Sequence, residues 1–150
     1  MINLSVDTRN LSPSLSEELL EEVFCEMTFL VESSFDVSVE EIYGDVSFWT
    51  PTPDDEIAEL ELFGIIDIGD ETTSLQKIMH LTHEVGHVIY HMDELFREVE
   101  DTMFCESTAW YLGYHFMAEH GYIIEMSQYQ KEMKNALKLY RWSENDTDVE

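Results

Sequence analysis

The sequence predicts one α+β domain over residues 1–142: an N-terminal helix, a small mixed or antiparallel sheet, then three helices. Three observations carry this. The chain has 150 residues, the length of a single domain. Its 44% hydrophobic and 12% aromatic residues suffice for a buried core. Apolar residues recur near a 3.6-residue period on both sides of a stretch, Asp36 to Asp70, whose texture is instead short and β-rich.

Ser14 to Val31 reads as the first helix, capped by Ser14 or Ser16 and faced by Leu19, Leu20, Val23, Phe24, Met27 and Leu30–Val31. Strand-like pieces follow at Val37–Val39, Val46–Trp49 and Leu60–Ile68, with Pro51-Thr52-Pro53-Asp54-Asp55 as a loop. Leu60, Leu62, Ile66 and Ile68 alternate onto one face of the last piece, and Gly69-Asp70 ends it. Thr73 or Ser74 caps a helix over Leu75–Met92, and another runs from Val99 to His120, stopping at Gly121. The final helix, Glu125–Trp142, has an apolar stripe of Met126, Tyr129, Met133, Ala136–Leu137 and Tyr140. A basic stripe of Lys131, Lys134, Lys138 and Arg141 runs parallel to it, set beside the acidic N-terminal half or facing water. Residues 143–150 have nothing to bury and are expected to fray as a disordered acidic tail.

Charge is the extreme feature. Thirty-three Asp and Glu face seven Lys and Arg, for a net charge of −26. Direct nucleic-acid binding through a basic footprint is excluded for the chain as a whole, and an anionic membrane surface would repel it. The longest apolar runs fall far short of the roughly 20 residues of a spanning helix. The N-terminus has neither a basic nor an apolar signal region, and two cysteines, Cys25 and Cys105, make no disulfide framework. A cytoplasmic, reduced protein is the expectation. Between Arg9 and Lys77 there is no basic residue, while 18 Asp or Glu occur there. That array reads as a solvated, solubilising surface. Alternatively it is a phosphate-like charge array that captures a basic DNA-binding protein.

Chemistry concentrates in His80-Leu81-Thr82-His83-Glu84-Val85-Gly86-His87-Val88-Ile89-Tyr90-His91. His83-Glu84-x-x-His87 is an HExxH pattern. On a helix, positions i and i+4 share a face, so both imidazoles reach one metal. Glu84 reaches a water held there without ligating the metal. Composition alone gives this pattern in roughly 3% of shuffled chains, so context matters: here it lies within a predicted helix directly after a predicted strand. Gly86, costing a helix interior about 1 kcal/mol against alanine, marks a close approach by another backbone or side chain. A catalytic zinc takes three protein ligands and one open position. Glu106 is the first choice for the third, because Ala109 and Gly113 lie on its face of the following helix and let the two helices approach. Asp93, six residues after His87, is the rival, but Tyr90 stands where that arrangement needs a turning glycine.

His83-Glu84-x-Gly86-His87 followed by Glu106-x-x-Ala109 resembles the gluzincin group of zinc metallopeptidases, and within it the small minimal-zincin domains of the ImmA/IrrE type. The match covers about Leu60 to Gly121 and is confined to motifs. It implies an edge strand (Leu60–Ile68) that binds extended peptide, an active-site helix and a glutamate-bearing helix. It also implies His83, His87 and Glu106 as Zn²⁺ ligands, Glu84 as general base, and a phage or mobile-element setting. The chain departs at Trp110, which occupies a place where several such families have a polar residue that orients a histidine.

The remaining candidates have plainer readings. His80 and His91 extend the histidine stripe, but four histidines over about 16 Å of helix exceed one metal's reach; they are expected to support the ligands from behind, to face substrate or, first of the three, to be exposed to solvent. His115 and His120 fall on the glutamate helix. Tyr111, Tyr114 and Tyr122 read as aromatic packing, alternatively as carbonyl-polarising hydroxyls. Cys105 points about 100° away from Glu106 on a helix and reads as a buried thiol. Together these features imply a peptidase acting on a basic peptide or protein. The alternatives are an acidic inhibitor of a nucleic-acid-binding partner on an inactive scaffold, and a zinc-stabilised interaction module.

Overall fold

A computed structural model describes residues 8–44, 46–53, 62–92 and 102–148, with backbone alone at 102 and 139–148. The architecture is α+β. In chain order the elements are β1 (Arg9–Leu11), α1 (Glu17–Phe35), β2 (Val37–Ile42), β3 (Phe48–Pro51), β4 (Gly64–Gly69), α2 (Ser74–Met92), α3 (Thr102–Glu119), β5 (Tyr122–Ile124) and α4 (Met126–Asp148). Leu60, Asp54, Asp55, Asp93 and the expected helix start at Val99 lie outside the described residues.

Local chemistry sets the boundaries. Of the two serines that qualify as the first cap, Ser16 serves: its Oγ accepts from Leu19 N at 3.1 Å, with Glu17 and Glu18 in the first turn. α1 continues to Phe35, past the expected end at Val31, because Phe35 packs on Phe116 at 5.0 Å between ring centroids. Asp36, at φ 53°, makes the left-handed turn into β2. Thr73 caps α2 in a capping box: its Oγ1 accepts from Gln76 N, and Gln76 Oε1 accepts from Thr73 N. Gly121, at φ 91°, terminates the turn after α3. α4 runs to Asp148, past Trp142, where the sequence predicts a frayed tail. No glycine or proline interrupts Ser143–Asp148, so helical bonding propagates.

β4 is the centre of a three-stranded sheet, parallel to β2 and antiparallel to β3, with Ile66 opposite both Val39 and Trp49. This corrects the expected edge strand: Gly64–Gly69 is bonded on both sides, and among the described residues β3 is an edge. The residues account for it. Phe63-Gly64-Ile65-Ile66 is a continuous apolar run suited to an interior strand, whereas Pro51 has no N–H to donate and suits an edge. β1 and β5, three residues each and too short to show a period, pair in a separate parallel two-stranded sheet.

α2 is buried almost all round, by Leu75, Ile78, Met79, Leu81, Val85 and Val88 among others, and is the central element. Lys77, itself buried, ties it to its neighbours: Nζ lies 2.7 Å from Glu41, 3.8 Å from Glu21 and 5.7 Å from the Phe24 ring centroid. Among the described residues, no helix is long and apolar enough to cross a membrane.

α3 meets α2 backbone to backbone. A Cβ built on Gly86 would lie 1.7 Å from the carbonyl oxygen of Ala109, and one on Gly113 would lie 1.8 Å from that of Thr82. Neither obstacle is the far end of a flexible side chain, so neither substitution fits without the helices parting. Gly→Ala in an unconstrained helix gains about 1 kcal/mol. Here Gly86→Ala and Gly113→Ala are each expected to lose about 1–3 kcal/mol by overpacking, read as a lower urea midpoint; a gain at either position would place the helices farther apart.

Candidate metal centre

The helix contact decides what faces what. α2 carries His83 and His87 one turn apart. On α3, Glu106 lies one turn before Ala109, the residue in contact with Gly86, so its carboxylate is delivered between the two imidazoles. The two Nε2 atoms are 3.0 Å apart. Glu106 Oε1 lies 3.1 Å from Nε2 of His83 and 3.3 Å from that of His87, and Oε2 lies 3.2 Å from the latter. Among the described residues this is the one grouping of three such side chains whose ligand atoms all fall within 4.8 Å of one another.

These residues fit a zinc ion. Ligands held tetrahedrally at 2.0–2.2 Å stand about 3.4 Å apart, close to the separations between these three atoms. Two imidazole nitrogens and one carboxylate oxygen are a donor set zinc accepts, with a fourth position left over. Lone pairs brought this close repel one another unless a proton or a cation lies among them.

Electrostatics show what a proton does there. Burial opposes charging the His83 ring, but hydrogen bonds to Glu106 and Glu84 outweigh it and carry its pKa up to about 9. Burial likewise opposes ionising Glu106, and the hydrogen bonds to His83 and His87 overcome it, bringing the carboxyl down to about 2. With no metal bound, the contacts within the cluster thus favour an imidazolium–carboxylate pair, whose proton a metal would displace.

Glu84 is 4% exposed, with Oε2 at 3.4 Å from His83 Nδ1. It lines a cleft of about 230 Å³ with His83, His87, Glu106 and three residues at the sheet edge, Ser47, Phe48 and Trp49. Ser47 Oγ accepts from Gly69 N at 3.0 Å, pinning the start of β3 to the end of β4. The Trp49 ring lies over Gly64, where a Cβ would come within 2.1 Å of it. A larger cavity, about 550 Å³ between the start of α1 and α4, is lined by Leu20, Met79, Gln128 and Lys131 and by none of the expected site residues.

The structure thus brings His83, His87, Glu106 and Glu84 together; Asp93 lies outside the described residues. His80 and His91 are not exposed as expected. His80 Nε2 is 3.0 Å from Glu132 of α4, and the His91 ring lies 5.5 Å from Phe63 and 6.3 Å from Trp49. His115 and His120 are exposed. Cys105 is half-buried and its Sγ donates to Tyr90 Oη at 2.9 Å. Tyr122 Oη donates to Glu26, and Tyr114 packs on Tyr129, so neither hydroxyl is among the cleft's lining groups. Sequence reading missed the contribution of β3. Pro51 was its available signal, marking an edge beside the histidine helix. Compared with protein-family models, curated proteins and solved structures, the chain matches none.

The buried pair makes stability depend on pH. With its pKa raised above 6.5, His83 contributes fully below about pH 6.5, and the contribution is lost as pH rises through about 9. With its pKa depressed below 4.5, Glu106 contributes above about pH 4.5, and that share is lost as pH falls through about 2. The melting temperature of the metal-free protein is therefore expected to decline between about pH 6.5 and 9. Glu106→Gln should flatten that decline; an unchanged slope would remove the pair as its cause.

Proposed function

We propose that the protein is a zinc-dependent peptidase with Glu84 as general base, acting in the cytoplasm on a basic peptide or protein. The observation that carries this is the convergence of His83, His87 and Glu106 beside a buried carboxylate, in a cleft bounded by an edge strand. The resemblance of these motifs to the small gluzincins supports the same assignment. Zinc, when bound, supplies Lewis acidity toward a water and the scissile carbonyl. His83, His87 and Glu106 would hold it. Glu84 takes the proton of the attacking water and returns it to the leaving amine, a role for a carboxylate in the cleft but outside the ligand set. Among the described residues the outer side of β3 pairs with no strand, an edge along which an extended segment can lie, and the net charge of −26 favours a basic one.

Glu84→Gln keeps size and polarity but cannot take a proton. It is expected to retain zinc and melting temperature while hydrolysis of a basic extended peptide falls by about 10²-fold or more. His87→Ala should lose zinc and metal-dependent stability together. Full activity in Glu84→Gln would exclude it as the base.

One feature favours a second reading. Glu17, Glu18, Glu21, Glu22 and Glu26 are exposed on α1, an acidic face suited to a basic DNA-binding protein. On that reading, a low-salt pull-down captures such a partner and the complex weakens steeply as salt rises. Neutralising these glutamates abolishes capture, whereas Glu84→Gln leaves it intact. Absence of any basic partner at low salt would reduce this face to solubility.

A further inference from the structure

We propose that Trp110 is a positioning residue for His83: its indole face fixes the plane of the imidazole and stabilises it when its lone pair goes to a cation. This rests on the metal-site reading above. The two rings are stacked, with centroids 4.3 Å apart and planes 9° from parallel. Trp110 follows Glu106 by one helical turn on α3, so the residue over the histidine ring and the residue across from its Nε2 come from one helix face.

The indole is itself held. Trp110 is 1% exposed, Tyr129 packs edge-on against it at 5.2 Å, and Tyr129 Oη donates to the Trp110 carbonyl oxygen. Core filling alone does not account for tryptophan here. Its Nε1–H is buried with no acceptor among the described residues, a defect that phenylalanine or leucine would avoid. What the indole adds is an electron-rich face. An imidazole that has given its lone pair to a metal or a proton is electron-poor, and the stack then gains an electrostatic component. The torsion that sets an imidazole's plane is broad, and the contact from Glu84 to His83 Nδ1 is long at 3.4 Å. The stack supplies the missing restraint.

Zinc affinity, measured by competition with a chromogenic chelator, tests this in the intact chain. Trp110→Phe keeps a π-face and should bind zinc within about 3-fold of wild type. Trp110→Leu keeps apolar volume without the face and should bind about 10-fold more weakly, a factor within the range of one aromatic pair. Replacing tryptophan throughout with 5-fluorotryptophan weakens the π-face at nearly constant volume. It should lower zinc affinity in the wild-type sequence and leave Trp110→Phe unaffected, and this arm decides if Trp110→Leu does not fold. Equal affinities of folded Phe and Leu variants, or a fluorotryptophan effect that persists in Trp110→Phe, would overturn the assignment while leaving the metal site standing. A wild-type protein that binds no zinc would overturn both.

Discussion

Everything at the candidate centre depends on how close α3 lies to α2. Packed helices ordinarily stand 8–10 Å apart, the distance set by the side chains between their axes. At Gly86 against Ala109, and Gly113 against Thr82, backbone meets backbone. Thr82 tolerates this because its hydroxyl is turned back to the Ile78 carbonyl oxygen at 2.7 Å, keeping its side chain out of the contact. Glu106 is a short lever projecting from that contact. Opening the helices by an ångström would carry its carboxylate beyond hydrogen-bond reach of both imidazoles, which now lie 3.1 and 3.3 Å away. Two glycines and an alanine therefore govern a site to which they contribute no polar atom.

The second constraint is the cost of polar groups inside a central helix. α2 is surrounded by the core, yet it carries Glu84, His83 and His87, with both imidazoles against Glu106 of α3. Each finds a compensating partner within the cluster: Glu106 for both imidazoles, Glu84 for His83 Nδ1, and the Trp110 face for the His83 ring. Burial of a charge is tolerable only when it is paired and hydrogen-bonded, and the cluster satisfies that internally. The remaining carboxylates lie largely outside the core, where the negative field of the whole chain raises the local concentration of cations.

Much of this was legible in the sequence because it is written locally. Caps and apolar stripes locate α1, α2 and the start of α4, Gly121 marks the end of α3, and spacing alone puts His83 and His87 on one face. Glu106 was legible for a less common reason: Ala109 and Gly113 advertise a close helix contact, and a carboxylate on the same face inherits it. What was not legible depends on partners far away in the chain. His80 reads as exposed until Glu132 arrives from α4, and His91 until Phe63 and Trp49 close over it. The centrality of β4 follows from two neighbours rather than from its own alternation, and β1 and β5 are too short to announce themselves. Trp110 was visible as a departure from a pattern, but a stack on His83 follows only from the helix crossing.

These two constraints act on the same side chains and reinforce one another. The cluster of His83, His87 and Glu106 is assembled by two helices already locked at the backbone, so the fold makes it without help from an ion. On the proposed reading these side chains would need little reorganisation to receive a cation beyond the loss of a proton from the His83 imidazole, whose pKa is raised. Preorganisation of this kind spares the entropy of collecting ligands, which small metal-nucleated domains must supply from binding. It also narrows what the site accepts, because packed helices do not adjust to a larger coordination sphere as loops do. Three donor groups held by two helices packed backbone to backbone thus suit, on the proposed reading, a small ion of low coordination number.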